Sequence, residues 1–312
     1  MLAPLATVSV IAAAWLIYWL VASAAIKQAY GGGERRLAAD GVSLSCDEAE
    51  WGGFPFRVEQ SCRAPKVTID EPGRRFDISA AKILWVVQAY DPRHAVLLLD
   101  GPTMIRGLGL GEIHHDRALA SFRSSADDTW QASIEFPKIA VEQWGEAGRL
   151  LMHARASGNG NVDLALAADK LNVTLAGGAA LPIDSLEIET TLPQTAIREN
   201  VARFLSRKGG TIAVTNVSAQ QGELVVRGSG TVGIDGEGYL TGQIATRISR
   251  VDLLFEIVKR FARISNGDAA AAKAIIGLLN KGNSGNAALD LIAKDHKLYW
   301  GPFKLAELRP LF

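Results

Sequence analysis

The sequence predicts a mainly β fold of the α+β class: a long curved antiparallel sheet or an open β-sandwich with a few capping helices, behind one N-terminal transmembrane helix. An uncharged run occupies residues 2–26. Short stretches of alternating apolar and polar residues then follow one another to about residue 249, separated by Gly, Pro, Asp or Asn. Because few helical stretches lie between them, the pattern favours antiparallel strands over a parallel α/β sheet.

The uncharged run is long enough to cross a membrane. At about 1.5 Å per residue it reaches roughly 37 Å, whereas a hydrocarbon core is about 30 Å thick. A cleavable secretory signal is the main alternative, since the small residues ASA at 22–24 resemble a cleavage site; a buried core helix is a more distant one. The bulky Trp15, Tyr18 and Trp19 extend the apolar body and favour a retained anchor at residues 1–27.

The residues after the run predict a spacer and then a single large region. The segment YGGGERR at 30–36 contains three consecutive glycines, which are typical of a flexible connection. We therefore expect a linker at 28–40 and a β-rich domain over 41–312. This domain forms either one body or two lobes that divide near 192–210.

Two signals disagree about which side of the membrane the domain occupies. Lys27, Arg35 and Arg36 follow the run and no basic residue precedes it, so a positive-inside count places the domain in the cytoplasm. Cys46 and Cys62, the only cysteines, favour an oxidising compartment. If bonded, they close a loop of about 17 residues, worth roughly 3 kcal/mol in the chain-entropy model. We expect this disulfide and a periplasmic domain, although two buried thiols in a cytosolic domain are the alternative.

Composition argues against nucleic acid as a partner and against a second membrane crossing. Lys plus Arg and Asp plus Glu both number 33, so the chain has no overall basic surface for nucleic acid. No later uncharged run approaches the length of a membrane span, so we expect one crossing at most.

Period-two alternation predicts the strands individually. The predicted strands are 54–61, 66–70, 82–90, 95–100, 119–125, 130–136, 150–156, 161–167, 170–176, 183–190, 211–217, 223–227, 230–235 and 239–249. A closing hairpin is predicted from 288–293 and 297–300, turning through Asp295 and His296.

Helical periodicity is predicted at 193–208, 251–264 and 269–279. These helices are expected to cap the end of the sheet rather than to bind a partner. The segment KGNSGN at 281–286 is expected to be a loop.

Two local patterns could indicate a ligand site, but their context argues against both. GSGTVG at 228–233 matches the dinucleotide pattern GxGxxG, yet the residues that follow do not predict the helix that such a site needs. His114, His115 and Asp116 are adjacent and point in different directions, so we expect solvated loop residues rather than metal ligands. Asp127 and Asp128 are expected to form a turn.

One arrangement resembles a serine acyl-transferase. The segments at 79–82 (SAAK), 157–159 (SGN) and 208–210 (KGG) follow the chain order of enzymes in which a lysine deprotonates a serine. Ser79 would be the nucleophile and Lys82 the base, but both lie in a strand-like stretch where the chemistry needs the start of a helix. No CxxC, HExxH, GxSxG or Walker pattern occurs, so we expect no catalytic set, no metal site and no cofactor.

The string WGGFPFR at 51–57 carries a family resemblance. Together with Cys62, it resembles the signature of the proteobacterial domain of unknown function family 2125, whose members look like periplasmic proteins with an N-terminal anchor. The similarity extends to the ending KLYWGPFKLAELRPLF and implies no catalytic residues. The family-like residues are Trp51, Gly53, Phe54, Pro55, Phe56, Arg57, Tyr299, Gly301 and Pro302.

A weaker likeness is to the AsmA-like envelope proteins, which look like curved sheets with apolar concave faces that hold lipids. At the level of fold analogy, it favours a non-enzymatic, inner-membrane-anchored periplasmic protein that acts in envelope maintenance and binds lipid along an apolar sheet face. The alternatives are the acyl-transferase built on Ser79 and Lys82, and an anchored scaffold whose sheet edge or helices at 251–279 dock a protein.

Overall fold

The computed structural model describes most of the chain. The described residues are 3–71, 74–107, 111–125, 127, 129–156, 158, 160–174, 179–198, 204, 210–261, 286–301 and 303–310. The predicted fold class is confirmed, since strands make up 64% of the structure and form one large antiparallel sheet, with few helices and an N-terminal apolar helix.

Within the described residues the chain forms three helices and twenty strands. The helices are α1 (Ala3–Ala39), α2 (Gln194–Arg198) and α3 (Val251–Phe261). The strands are β1 (Val42–Ser45), β2 (Glu48–Gly52), β3 (Arg57–Arg63), β4 (Lys66–Glu71), β5 (Arg74–Gln88), β6 (Asp91–Arg106), β7 (Gly111–His115), β8 (Ala118–Ser124), β9 (Trp130–Phe136), β10 (Ile139–Val141), β11 (Gly145–Ala147), β12 (Arg149–Ala156), β13 (Asn161–Thr174), β14 (Ala180–Pro193), β15 (Thr211–Gln221), β16 (Leu224–Ile234), β17 (Leu240–Ser249), β18 (Ala287–Lys294), β19 (Lys297–Trp300) and β20 (Phe303–Glu307).

The chain divides into two compact units, Met1–Glu146 (unit 1) and Ala147–Phe312 (unit 2). The boundary therefore differs from the division expected near 192–210. The pattern of strand pairing explains the difference, because β14 continues to Pro193 and pairs directly with β15, so that the expected boundary falls inside a run of neighbouring strands.

Unit 1 is built on two long strands. β5 pairs with β6 over most of its length, β3 and β4 pair with β5, and β8 pairs with β6 and β9. One face of these strands carries Val58, Val87 and Ala95 in adjacent register positions. Val58 and Val87 are buried together with Ile26 of α1, so the core of unit 1 lies between this face and the helix.

The helix α1 is longer than the uncharged run. It is long and apolar enough to cross a membrane by length and composition, and its 37 residues include the whole of YGGGERR. The prediction of a flexible spacer at 30–36 was therefore wrong. The ring of Tyr30 packs against Trp51 and Trp85 with centroids 5.6 and 5.5 Å apart, and these contacts extend the helix past the point where local sequence predicts its end.

Unit 2 is a meander. β12, β13, β14, β15, β16, β17, β18, β19 and β20 pair in chain order, each antiparallel to the next. The core cluster of unit 2 is formed by Leu224, Ile248, Val251, Ala287 and Trp300. The predicted closing hairpin is confirmed, with Asp295 and His296 at φ 51° and 59° between β18 and β19.

Several predicted strands prove to be parts of longer ones. The predicted strand at 161–167 and the described part of the one at 170–176 belong to β13 (Asn161–Thr174), and β16 (Leu224–Ile234) joins most of those at 223–227 and 230–235. The first predicted strand starts at Arg57 rather than at 54, because residues 53–56 form a turn. Of the predicted helices, 193–208 is described at Pro193, which ends β14, at α2 and at Phe204, and 269–279 lies outside the described residues. The loop at 281–286 is described only at Asn286.

Candidate functional site

The family-like string at 51–57 forms a turn between two strands. Trp51 is the second-last residue of β2, Arg57 begins β3, and the Arg57 N–H donates to the Gly53 carbonyl at 3.0 Å. Gly53 has φ +101°, and a Cβ there would lie 2.5 Å from the Arg57 carbonyl oxygen. The turn therefore requires glycine at this position.

The aromatic side chains of this region pack against α1. Trp15 lies 5.8 Å from Phe56 and Trp19 lies 5.1 Å from Phe54, measured between ring centroids. Further along the helix, Tyr30 contacts Trp51 and Trp85. We call this set the aromatic junction, and it consists of Trp15, Tyr18, Trp19, Tyr30, Trp51, Phe54, Phe56 and Trp85.

Three side chains of α1 donate hydrogen bonds to backbone carbonyls of unit 1. The indole N–H of Trp15 donates to Pro55 O at 3.1 Å, and that of Trp19 donates to Arg57 O at 3.1 Å. The Tyr18 hydroxyl donates to Ala89 O at 2.9 Å. Positions 15, 18 and 19 lie on one side of a helix, so a single helix face supplies all three donors.

Aliphatic and charged contacts continue the junction toward the end of the uncharged run. Ser23 and Ile26 are buried, and Ile26 packs on Val58 and Val87. The ammonium group of Lys27 lies 5.3 Å from the centroid of the Trp51 ring, within cation–π distance. The helix is thus bound to the sheet from residue 15 to residue 30.

A disulfide joins Cys46 and Cys62 in the same unit. Their Cα atoms are 5.5 Å apart, and Cys62 is buried in β3. The bond links the segment between β1 and β2 to β3, which carries the Val58 and Arg57 contacts of the junction.

The closing residues of the family-like set belong to unit 2. Tyr299 lies in β19, with the Lys294 ammonium 5.7 Å from its ring centroid. Gly301 has φ +53° and donates its N–H to Asp290 O at 2.8 Å, so it turns the chain toward β20. Pro302 lies outside the described residues.

The sheet of unit 2 has one apolar face. Cross-strand register aligns Met152 with Leu166, Ile188 and Val217 on β12, β13, β14 and β15. Two parallel rows flank this one, and the side chains of all three are half-buried or buried. We call these rows the apolar face, and the flanking residues are Leu150, Ala168, Leu186, Ala219, Ala154, Leu164, Thr190 and Val214.

The opposite face of the same strands is largely polar. Arg155 bonds to Asp163 at 3.0 Å across β12 and β13, and Thr191 of β14 donates to the same carboxylate at 2.9 Å. Glu187 and Glu189 are exposed on this face. The sheet of unit 2 is therefore amphipathic.

Helix α3 covers the apolar surface further along the meander. Leu253, Leu254 and Ile257 pack against the cluster that contains Ile248 and Trp300. The half-buried residues of β12 to β15 do not belong to the two core clusters that the described residues form.

The glycine pattern at 228–233 lies in β16 and not at the start of a helix. A Cβ on Gly230 would overlap the carbonyl oxygen of Gln243 in β17. Close approach of two strands therefore explains this glycine, in agreement with the expectation that the pattern is not a dinucleotide site.

The acyl-transferase candidates lie in a strand. Ser79 and Lys82 both belong to β5, where Ser79 pairs with Met104 and Lys82 with Asp100. The structure therefore does not place Ser79 at the start of a helix, as that chemistry requires. Ser157, Asn159 and Lys208 lie outside the described residues.

The histidine pair lies in β7, not in a loop as expected. His115 bonds Thr103 Oγ1 at 2.8 Å and packs on Phe136, whereas His114 lies 3.7 Å from Glu112. In the part of the chain that the structure describes, no three His, Cys, Asp or Glu residues are grouped to hold a metal ion.

Ion pairs on the strand surface shift nearby pKa values. Arg117 donates to both carboxylate oxygens of Asp100 at 2.6 and 3.2 Å, and this bond holds the pKa of Asp100 below its ordinary value. A hydrogen bond from Thr68, at 2.6 Å, likewise lowers the pKa of Asp77. Both carboxylates are therefore ionised at neutral pH and stabilise strand pairs rather than prepare an acid or base.

Sequence reasoning identified the string at 51–57 but missed its partners. Trp15, Tyr18 and Trp19 were interpreted as anchors for a water interface, and Tyr30 as part of a spacer. The sequence holds one signal for these contacts: the three residues share a helix face, and a second aromatic cluster follows about 30 residues later.

Comparison with known proteins identifies a family. No curated protein and no solved structure matches the chain. A family model described as "Uncharacterized protein conserved in bacteria (DUF2125)" matches residues 19–309, a range that includes the junction residues Trp19, Trp51 and Phe54 and the closing Tyr299. The chain belongs to this bacterial DUF2125 family.

Proposed function

We propose that this protein is a membrane-anchored, non-enzymatic protein of the bacterial cell envelope, and that the apolar face of its periplasmic domain binds lipid acyl chains. One observation carries the proposal: the apolar face of an amphipathic sheet is only half-buried. Its central row consists of Met152, Leu166, Ile188 and Val217. Apolar surface that stays partly open to solvent is typical of a binding surface.

The hydrogen bonds of α1 support a retained anchor over a cleaved signal. Cleavage after Ala24 would remove Trp15, Tyr18 and Trp19. The carbonyl oxygens of Pro55, Ala89 and Arg57 would then lose their donors.

The disulfide supports the periplasm over the cytoplasm. Bonds such as the one between Cys46 and Cys62 persist in oxidising compartments, whereas cytosolic thiols are kept reduced. This argument disagrees with the positive-inside count, which places the domain in the cytoplasm. We give the disulfide more weight, because charge bias sets an average preference whereas a bonded pair needs an oxidising environment.

The dimensions of the apolar face suit an extended ligand. Neighbouring strands lie about 4.8 Å apart, so four strands span roughly 14 Å, and a strand rises about 3.4 Å per residue. The three rows run from Leu150 to Ala154 on β12, so the apolar face is also roughly 14 Å long. A surface of this shape without directional polar groups fits hydrocarbon chains better than a polar metabolite.

Lipid mass spectrometry on protein purified from native membranes tests the proposal. The test variant is Leu166→Gln combined with Ile188→Gln on the apolar face. The matched control is Ala167→Gln combined with Ser218→Gln. These two positions lie on β13 and β15, on the opposite face of the same sheet. Lipid around α1 is common to all samples, so the difference between the two variants reports the sheet.

We expect the apolar-face variant to retain less phospholipid per protein than wild type, and the control to retain the wild-type amount. Equal lipid content in the two variants, with unfolding temperatures showing that both are folded, would contradict lipid binding. Recovery of one stoichiometric protein on the wild type in place of lipid would also contradict it, and would favour the docking scaffold.

A further inference from the structure

We propose that two turns of unit 1, at residues 53–56 and 89–90, insert into the membrane that α1 crosses, so that Phe54, Phe56 and Tyr90 contact lipid. The inference depends on α1 as an anchor and not on lipid binding by the apolar face of unit 2. The two turns lie side by side, since the Ala89 N–H donates to Phe56 O at 3.0 Å.

The first argument is the depth of the helix residues that bind these turns. A membrane-spanning helix needs about 20 apolar residues. Any stretch of that length within the uncharged run 2–26 contains Trp15, Tyr18 and Trp19. The carbonyl groups bonded to these side chains therefore lie at the level of the span, and the turns that carry them lie there as well.

Distances along the helix give the same result. Lys27 is the first charged residue of the chain, and its ammonium group lies over the Trp51 ring. It marks the end of α1 that faces water. Twelve residues separate it from Trp15, which at 1.5 Å per residue places Trp15 and its partner Pro55 roughly 18 Å deeper along the helix axis.

The second argument is that five carbonyl groups in and beside the turns accept hydrogen bonds, as a bilayer favours. An unbonded carbonyl or N–H group is costly in hydrocarbon, where water cannot replace the partner. The carbonyl groups of Gly53, Pro55, Phe56, Arg57 and Ala89 all accept hydrogen bonds, three of them from α1. In water such exposed turns would not need donors from the helix.

The third argument is the exposure of large apolar side chains around α1. Phe54, Phe56 and Tyr90 are 58%, 61% and 59% exposed, next to a helix whose Leu16 and Leu20 are also exposed. These exposed rings and the exposed leucines of α1 form one continuous apolar surface. A lipid bilayer is the partner that would cover the helix and the rings together.

The charged neighbours limit how far the turns enter. Arg57 pairs with Glu59, and Asp91 follows Tyr90 directly. Charged groups are costly at the centre of a bilayer but acceptable near its surface. We therefore place the rings near the boundary between headgroups and acyl chains, with Lys27 farther out on the aqueous side, so that the roughly 18 Å along the helix is not all membrane depth.

Spin labelling of the full-length protein tests this placement. The labels are introduced by Phe54→Cys, Phe56→Cys or Tyr90→Cys, in vesicles of phosphatidylethanolamine and phosphatidylglycerol. Arg75→Cys is the control, because Arg75 is exposed near the other end of β5, about 43 Å from Gln88 along an extended strand. Collision with oxygen reports lipid, and collision with a water-soluble nickel chelate reports solvent.

We expect labels at 54, 56 and 90 to collide more with oxygen than with the nickel chelate, and the label at 75 to do the opposite. Nickel accessibility at 54 and 56 equal to that at 75 would overturn the proposal. Protection of these positions from both reagents would also overturn it, because it would indicate a covering protein or a second copy of this chain.

Photolabelling of the unmodified protein provides a second measurement that no misfolded variant can affect. A phosphatidylcholine with a diazirine in its acyl chain is mixed into the same vesicles and activated. We expect adducts at 53–57 and 89–90 as well as in α1. Adducts confined to α1 would overturn the proposal.

Discussion

Helices α1 and α3 both pack on an apolar sheet surface, but they are attached by different contacts. In unit 1, α1 presents aromatic side chains that donate hydrogen bonds to three backbone carbonyls. In unit 2, α3 presents Leu253, Leu254 and Ile257 to an apolar cluster that includes Trp300. The first attachment is directional, whereas the second rests on burial alone.

The difference indicates that the position of α1 is more narrowly defined. A hydrogen bond weakens steeply with angle, so three of them on one helix face define both the rotation and the axial position of α1. Hydrophobic contact is roughly proportional to buried area and tolerates a small shift. In the proposed anchored protein, the first kind of contact would fix the height of unit 1 at the membrane.

Loss of the disulfide should have the largest effect, and it should be confined to unit 1. In the chain-entropy model, replacing Cys46 and Cys62 by serine removes a cross-link worth roughly 3 kcal/mol. Hydrogen exchange followed by mass spectrometry should show lost protection in β2 and β3, with β16 to β18 unchanged. Equal loss of protection in both units would show that they unfold as one.

Trp51→Ala should break the junction almost as strongly. It removes the ring that contacts Tyr30, Trp85 and Lys27. Because Trp51 is only partly buried, we expect a loss of about 2–3 kcal/mol in the free energy of unfolding, below the range for a fully buried tryptophan. The control is Trp144→Ala, since Trp144 is 63% exposed and its loss should change the free energy by less than about 0.5 kcal/mol.

Ile257→Ala should weaken the contact of α3 with its cluster. A half-buried isoleucine loses part of its transfer free energy, so we expect a cost of about 1–2 kcal/mol. Denaturant unfolding measures the cost, and hydrogen exchange should locate it in α3 and β16 to β18. Glu256→Ala is a neighbouring control on the exposed side of the helix. Lost protection in β3 or β5 would contradict the assignment of this contact to unit 2.

Acid should loosen the start of α3 before it affects the α1 hydrogen bonds. The bidentate pair with Arg250, at 3.2 and 3.1 Å, lowers the pKa of Asp252 in the first turn of α3. With a folded pKa below the unfolded value of about 3.9, the stabilisation is present above that pH and disappears as the pH falls through the folded pKa.

The indole donors Trp15 and Trp19 of α1 carry no titratable group, so their hydrogen bonds are the comparison. Hydrogen exchange at pH 5 and pH 2.5, corrected for intrinsic rates, measures the difference. Asp252→Asn should abolish the acid response of the first turn of α3. The effect is small, because the pair is exposed to solvent.

Much of the fold could be predicted because alternation and turn residues are local signals. The hairpin through Asp295 and His296 illustrates this, since two residues between alternating stretches leave few connections possible. β13 shows the limit of such prediction. Lys170 has φ 52° and interrupts the ladder between Asp169 and Leu171 without changing its register, so this local break predicts two strands where the structure has one.

The junction could not be predicted, because its contacts join residues far apart in sequence. Tyr18 reaches Ala89 across 71 positions, and no periodicity within either segment reports that pairing. The helical state of Gly31, Gly32 and Gly33 has the same origin. Glycine does not favour a helix, and the contacts of Tyr30 with Trp51 and Trp85 directly precede the three glycines.

The order in which the chain is synthesised gives the junction a further consequence. The hydrogen-bond acceptors for Trp15, Tyr18 and Trp19 lie at Pro55, Ala89 and Arg57, so the contact is complete once the first 89 residues have emerged. A helix inserted first into the bilayer can then serve as the surface on which β3 and β5 assemble. Biogenesis of unit 1 would thus be vectorial, finishing at the membrane while unit 2 is still being made.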